Sequence, residues 1–305
     1  MAPRILMLVN PTSGKGRASS GAPAAEARLR DRGFEVVHIQ GVDAEHAMSS
    51  LREAIEAEPT AAVVACGGDG TVHLVLQVVA GTGVPMGILP LGTGNDSATL
   101  FGVPTDPVAA ADLVADCLQA GTSRAVDAGR AITADGVDRW FLAVLSSGFD
   151  SMVNERANRM TWPTGQARYL RAILAELRSF KPVPYVMVVD EGLPGEHRYE
   201  GKGMLVAVGN GTQYGGGMKV CPGALPDDGL LSVTFLDELP TATFLRVFPT
   251  VYKGTHVSRP EVHEHTGVTV RLEAPGQVAY ADGERIGPLP VEVGVAPGAV
   301  ALLVR

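Results

Sequence analysis

Short, unbroken apolar runs alternate with amphipathic or alanine-rich stretches through the first third of the chain. Residues 61–65 and 84–89 (AAVVA, VPMGIL) are brief and rich in branched side chains, and 5–9 (ILMLV) and 34–39 (FEVVHI) read as further strands. That is the pattern of strands buried on both faces of a parallel sheet. Helical patterns occupy 21–31, 44–58, 71–80 and 106–120. Gly33, Pro59 and Gly121 supply stops, and Asp106 before Pro107 reads as an N-cap. Repeated strand–helix units predict a doubly wound parallel sheet, α/β in class, with ligands at the carboxyl ends of its strands.

After about residue 124 the texture changes. Short alternating runs at 126–132, 138–145, 185–189, 202–208, 230–235, 268–272, 278–281, 291–295 and 300–304 are separated by turn residues. They predict a mostly antiparallel β-sandwich with one helical insert at 166–179. The division is therefore an α/β domain over 1–124 and a β-sandwich domain over 125–305, with packing of the last strand onto the first domain left open. No internal repeat or low-complexity linker is present.

Composition narrows the class. Of 305 residues, 46% are apolar and 19% charged, and no apolar stretch approaches the roughly 18–20 residues of a membrane span. The N-terminal MAPRILMLVNP reads as a first strand, not a signal peptide. Cys66, Cys117 and Cys221 are odd in number and widely spaced, which excludes a disulfide framework and zinc-ligand spacing. The expected compartment is the cytoplasm. A net charge of −8 argues against a general nucleic-acid binder. A local basic stretch nevertheless holds Arg156, Arg159, Arg168, Arg171, Arg178 and Lys181.

The candidate chemistry sits in two glycine-rich loops that directly follow predicted strands. The first is Cys66-Gly67-Gly68-Asp69-Gly70-Thr71, continuing into Val72 and His73; the second is Leu91-Gly92-Thr93-Gly94-Asn95-Asp96. Glycines let backbone amides approach phosphate oxygens without Cβ interference. Asp69 and Asp96 can organise a metal and phosphates, while Thr71 and Thr93 add hydroxyls. Read alone, Gly-Gly-Asp-Gly is also a tight strand-to-helix turn, and Asn95 and Asp96 are also good helix caps. Asn10, Ser13 and Lys15 follow the first strand, where a lysine can meet a phosphate. This is no Walker A loop, because Gly16 stands where Ser or Thr is required.

These loops carry a resemblance that runs nearly end to end. Val9-Asn10-Pro11-Thr12-Ser13-Gly14-Lys15-Gly16, GGDGT, GTGND, Ser147-Gly148-Phe149-Asp150, Val208-Gly209-Asn210-Gly211 with Gly215-Gly216-Gly217, Leu225-Pro226-Asp227-Asp228-Gly229-Leu230 and Asp282-Gly283-Glu284 are similar to the diacylglycerol kinase catalytic domain family. That family includes bacterial soluble lipid kinases related to sphingosine and ceramide kinases. GGDGT alone also resembles NAD kinases and phosphofructokinases. The resemblance implies an ATP-binding domain followed by a β-sandwich domain, with Mg²⁺ and a diacylglycerol-like acceptor at the inner membrane surface. The nucleotide would be held by Asn10, Lys15, Gly67, Gly68, Asp69, Gly70, Thr71, Val72, His73, Thr93, Asn95 and Asp96. It further implies that Glu284 accepts the lipid hydroxyl's proton, Asp69 being the competing base. Asp228 and the carbonyls of Leu225 and Leu230 would hold a structural Mg²⁺, although the same run also reads as an acidic surface turn. Asp282-Gly283, without the resemblance, reads as a hairpin turn.

Other features keep two readings. Tyr169, Leu170, Ile173, Leu174, Leu177 and Phe180 give the 166–181 helix one apolar face, either core-facing or docked on a membrane with help from the arginines. His263-Glu264-His265 lacks HExxH spacing and reads as surface histidines. His73-Leu74 stands where many bacterial relatives have Asn-Glu, and HIQGVD at 38–43 lacks a threonine common there. Alternatives are an NAD or sphingoid-base kinase and a non-catalytic nucleotide- or lipid-binding regulator. Oligomeric state is open, a homodimer included.

Overall fold

The computed structural model describes residues 2–10, 17–162 and 166–305, apart from the side chains of 17–20, 166, 167, 169, 170 and 178. The chain forms two compact units. One comprises Met1–Ala128 with Ala296–Arg305, and the other Gly129–Val295.

The first unit runs β1 (Arg4–Val9), α1 (Arg17–Asp31), β2 (Glu35–Ile39), α2 (Ala44–Ala57), β3 (Ala62–Gly67), α3 (Asp69–Val79), β4 (Met86–Pro90), α4 (Asp96–Leu100) and α5 (Pro107–Ala120). Its strands lie in the order β2-β1-β3-β4, all parallel. Every residue of β3 and β4 is buried, because α1 with α5 and α2 with α3 cover the sheet. At Gly87 of β4 a Cβ would stand 2.8 Å from Val114 of α5, so the missing side chain sets that close approach. From β1 the chain steps outward to β2 and then returns to β3 on the other side. The carboxyl ends of β1 and β3 therefore flank the switch point where such sheets bind ligands. Asp106 caps α5 by accepting the Ala109 amide at 2.8 Å, and Gly121 ends it at φ +65°.

The second unit contains the second half of β5 (Arg124–Thr133), then β6 (Asp138–Phe141), β7 (Val144–Gly148), α6 (Phe149–Arg159), α7 (Gln166–Ser179), β8 (Val183–Val189), β9 (His197–Gly209), β10 (Leu231–Asp237), α8 (Thr241–Val247), β11 (Val262–Gly267), β12 (Thr269–Glu273), β13 (Val278–Ala281), β14 (Glu284–Pro288) and the start of β15 (Val291–Leu302). Strand β9 organises it. One edge pairs β8 along its first half and β7 along its second, while the opposite edge pairs β10. Two antiparallel layers thus share β9 and enclose a core of Phe141, Tyr185, Met187, Val206, Phe235 and Leu272. A smaller cluster, Phe149, Val153, Ala157, Ala172, Met204 and Phe244, lies under α6, α7 and α8.

Several elements differ from the sequence-based expectation. The 138–145 run is two strands, broken at Leu142–Ala143. Runs 291–295 and 300–304 are one strand, β15, whose Pro297-Gly298 step is absorbed where the Gly298 amide meets Asp127 at 2.7 Å. Beyond residue 295, β15 belongs to the first unit, where Leu302 pairs with Met86 of β4 in parallel. The helical insert α7 is accompanied by α6 and α8, strand β11 has no counterpart among the expected runs, and β14 supplies the second arm of the hairpin at Asp282-Gly283. Helix α6 starts at a position only glycine fills. Gly148 has φ +108°, and a Cβ there would lie 2.6 Å from the Met204 carbonyl.

Candidate functional site

The two glycine loops touch backbone to backbone at the carboxyl ends of β3 and β4. The amides of Leu91 and Gly92 both donate to the Gly67 carbonyl, at 2.8 and 3.1 Å. A Cβ on Gly68 would come 3.1 Å from the Gly92 Cα. One Asp69 oxygen accepts the Ser97 amide at 3.0 Å, so the first loop caps the helix that follows the second. A Cβ at Gly94 would lie 3.0 Å from Asp69 Oδ2 and 3.9 Å from Asp96 Oδ2, which places both carboxylates beside one open spot. At β1's end the Asn10 amide donates to the Cys66 carbonyl at 3.3 Å, bringing Asn10 against the root of the first loop. Lys15 and Ser13 lie outside the described residues.

The loop residues divide by what they can still offer. Asn95 sits at φ +56°, and its amide clamps Gly92 on both sides: Oδ1 accepts the Gly92 amide at 2.9 Å and Nδ2 donates to the Gly92 carbonyl at 3.2 Å. It closes the loop instead of facing outward. Val72 and His73 are buried in α3, which begins at Asp69 and turns those positions into the core. Thr71 is equally buried, but its hydroxyl has no hydrogen-bond partner, an unmet group at the start of the helix. Thr93 is exposed. Burial pushes the Cys66 thiol up to about 12, so it stays protonated and inert.

In the second unit, Asp282-Gly283 forms a two-residue turn between β13 and β14, with φ +51° and +86°. Positive φ at both positions is the type I′ pattern that suits an Asp-Gly hairpin. Glu284 is the first residue of β14 and is exposed at the surface. The protein around its carboxyl nevertheless raises its pKa by desolvation, within the limit set by that open side. Its neighbour Arg285 is turned to Glu155 on α6, at 2.8 Å, and the cross-strand partner Tyr280 reaches the same oxygen at 3.0 Å. Desolvation pushes the Glu155 carboxyl up, but Arg285, Tyr280 and Arg159 outweigh it and hold the group below its usual range.

Asp282 itself is tied elsewhere. Its carboxylate accepts the amides of Leu142, Ala143 and Val144 at 2.7, 3.0 and 3.1 Å. Asn210 serves the same segment, donating from its side chain to the Leu142 carbonyl at 2.8 Å and from its amide to the Ala143 carbonyl at 2.9 Å. This explains the break between β6 and β7: the backbone there bonds to two side chains in place of a neighbouring strand. Neither partnership is readable in the sequence, since the residues are 139 and 68 positions apart.

The remaining motifs are structural where the geometry reaches them. Asp228 accepts the Leu230 amide at 3.0 Å, closing its own turn, and Leu225 and Leu230 are exposed. Among the described residues no group of three or more His, Cys, Asp or Glu is placed to hold an ion. Asp150, at the start of α6, takes the Ser146 hydroxyl at 2.6 Å and also bonds Tyr214; burial raises its pKa against those bonds. His263 pairs with Asp237 at 2.7 Å, and His197 stacks on His265 with ring centroids 3.8 Å apart. On α7, Ala172, Ile173 and Leu177 pack inward while Leu174 is 56% exposed. Tyr169 and Leu170 fall outside the described side chains. No described helix is long and apolar enough to cross a membrane.

Known proteins show the same two parts. Residues 4–131 match the diacylglycerol kinase catalytic domain, and residues 143–304 match the YegS C-terminal NAD kinase β-sandwich-like domain. A Mycobacterium tuberculosis diacylglycerol kinase is 45% identical over 301 residues, 98% of this chain and 94% of that protein. A YegS-like lipid kinase of Citrobacter koseri is 28% identical over 98% of this chain and 95% of its own length. Among solved structures, a Bacillus anthracis diacylglycerol kinase superposes with TM-score 0.72 at 19% identity, covering all of this chain and 97% of that one. An Archaeoglobus fulgidus NAD kinase in complex with ATP gives 0.56 at 13%, covering 98% and 93%, a likeness of fold alone. The touching glycine loops, the β-sandwich and these matches together make the chain a lipid kinase of the diacylglycerol kinase catalytic-domain family.

Proposed function

We propose that the chain transfers the γ-phosphoryl group of ATP to a primary hydroxyl of a diacylglycerol-like lipid at the inner face of the membrane. The observation that supports this most is the joint between the two glycine loops, where Gly68 meets Gly92 and Asp69 caps α4. The joint lies beside the sheet's switch point and at the N-terminus of α3, where backbone amides and the helix dipole favour phosphate. The unmet Thr71 hydroxyl fits a phosphate oxygen.

Phosphoryl transfer asks the protein chiefly for positioning and charge neutralisation. Asp69 and Asp96 bring two carboxylate oxygens to one open spot beside Gly94, a hard-oxygen donor set that suits Mg²⁺. Mg²⁺ held there would neutralise phosphate charge. Glu284 serves as proton acceptor for the lipid hydroxyl, and its raised pKa moves it toward the neutral range where a base works best. Asp228 with the carbonyls of Leu225 and Leu230 is an oxygen-only set for a second, structural Mg²⁺.

An exposed surface of the second unit supports the reading of peripheral membrane contact. Trp162 is 72% exposed, Arg171 lies over its ring at 5.5 Å, and Leu174 stands one helical turn further along α7. Tryptophan and arginine together suit an anionic bilayer interface.

The test is transfer of radiolabelled γ-phosphate from ATP into a panel of dispersed lipids and NAD. Label in a diacylglycerol- or monoacylglycerol-type lipid, abolished by Asp69→Ala and by Glu284→Ala, is expected. Label in NAD alone would overturn the assignment.

A further inference from the structure

Asp282 carries three backbone hydrogen bonds that have no counterpart in ordinary hairpin turns. An Asp-Gly turn of this type needs only two residues tolerant of positive φ, and asparagine serves as well as aspartate. Here the carboxylate reaches past the turn to the Leu142, Ala143 and Val144 amides, and the Asp282 amide donates back to the Val144 carbonyl at 3.1 Å. Three amides on one carboxylate form a charge-assisted set, stronger than neutral bonds. Glu284 is two residues away, across a glycine at φ +86° that would otherwise leave the turn loose.

The other side of Glu284 is fixed as well. Successive strand residues point to opposite faces, so Arg285 turns away from Glu284, and the Arg285–Glu155 pair holds it there. The Glu284 carboxyl is thus presented between two anchored neighbours, its own side chain committed to neither. We propose that Asp282 is a positioning residue: its grip on 142–144 fixes the hairpin so that Glu284 is held in its working place. This rests on the reading of Glu284 as proton acceptor.

The test compares Asp282→Asn, Gly283→Ala, Glu284→Gln and the double variant Asp282→Asn/Glu284→Gln in the full chain. Asparagine keeps the turn but sets an NH₂ or a weaker acceptor against three amides. Gly283 has open space around its missing Cβ, so alanine there strains only the turn backbone. Asp282→Asn and Gly283→Ala are each expected to lower kcat, toward the roughly 100-fold typical of a small misplacement, with KM for ATP nearly unchanged. The acid limb of the pH–rate profile should move or flatten in both. The double variant should be no slower than Glu284→Gln alone, because each acts through the same group. Wild-type kcat and pH profile in both Asp282→Asn and Gly283→Ala, or losses that multiply in the double variant, would overturn the proposal. An active Glu284→Gln would instead remove the reading on which it rests. Should Asp282→Asn fail to fold, Gly283→Ala decides by the same kcat and pH criteria.

Discussion

Gly92 stands so close to Gly68 that a Cβ on Gly92 would lie 2.4 Å from the Gly68 Cα. The two loops can be this near only because both positions lack side chains. Gly92→Ala must push the loops apart, at an overpacking cost of about 1–3 kcal/mol. The expected result is a lower melting temperature together with a KM for ATP raised at least several-fold. Unchanged KM in a correctly folded Gly92→Ala would show that the joint is not where ATP is held.

Asp69 combines a structural bond with a charge, and two variants separate them. Asparagine retains an acceptor for the Ser97 amide, so Asp69→Asn should melt near wild type while losing about 10²–10³ in kcat, the scale of removing one electrostatic group. Asp69→Ala also removes the cap on α4, which should cost about 1 kcal/mol more in stability. Urea denaturation of both, beside initial rates, checks the split.

Glu284 gives a pH prediction whose sign is opposite to that of most carboxylates. Desolvation raises its folded pKa above the ordinary value of about 4.3, so the folded chain binds this proton more tightly than the unfolded one. Its contribution to stability is present below the unfolded value and is lost as pH rises through the folded one. Glu284→Gln should therefore be inactive yet at least as stable as wild type at about pH 7, the difference closing below about pH 4. Melting curves across that range decide it; a Glu284→Gln chain less stable at neutral pH would contradict the assigned shift.

Magnesium gives an independent handle on the 225–230 turn. If Asp228 and the two leucine carbonyls bind Mg²⁺ in the folded state, added Mg²⁺ raises the wild-type melting temperature by mass action. Asp228→Ala should lose most of that response, and an equal response in both chains would place the ion elsewhere.

Membrane contact can be separated from chemistry. Trp162→Ala with Leu174→Ser should weaken binding to anionic vesicles by about tenfold or more, since each removes an exposed apolar group from the interface. Turnover of a soluble short-chain acceptor should stay at the wild-type rate. Sedimentation of the protein with vesicles, alongside both assays, distinguishes these effects.

Much of the α/β half was readable because its signals are local. Asp106, Pro107 and Gly121 bracket α5 within a dozen or so residues, and the glycine loops follow apolar runs directly. The second half resisted where structure depends on distant partners. The 138–145 run looks continuous until Asp282 is known to bond its middle, and 291–304 looks broken because Pro297-Gly298 is a turn signal that Asp127 overrides. Helix α6 was hidden by a polar sequence, FDSMVNERANR, whose buried positions are few. Strand β11 was hidden by its histidines, which stand on a half-covered face, where His263 finds Asp237 and His265 finds His197. Within the candidate site, residue types suggested ligands, but Asn95 was spent on closing its own loop, which only the backbone path reveals.

Strand β15 starts in the second unit, yet its continuation, residues 296–302, pairs in the first. A ribosome emitting this chain delivers residues 1–128 early but withholds the segment that lies beside Met86 until nearly three hundred residues have appeared. During that interval the nascent α/β unit carries an unfilled edge at β4, a place where chaperones or other strands can attach. Its maturation is then coupled to translation of the whole β-sandwich, and a polypeptide cut at residue 128 keeps that edge unfilled permanently.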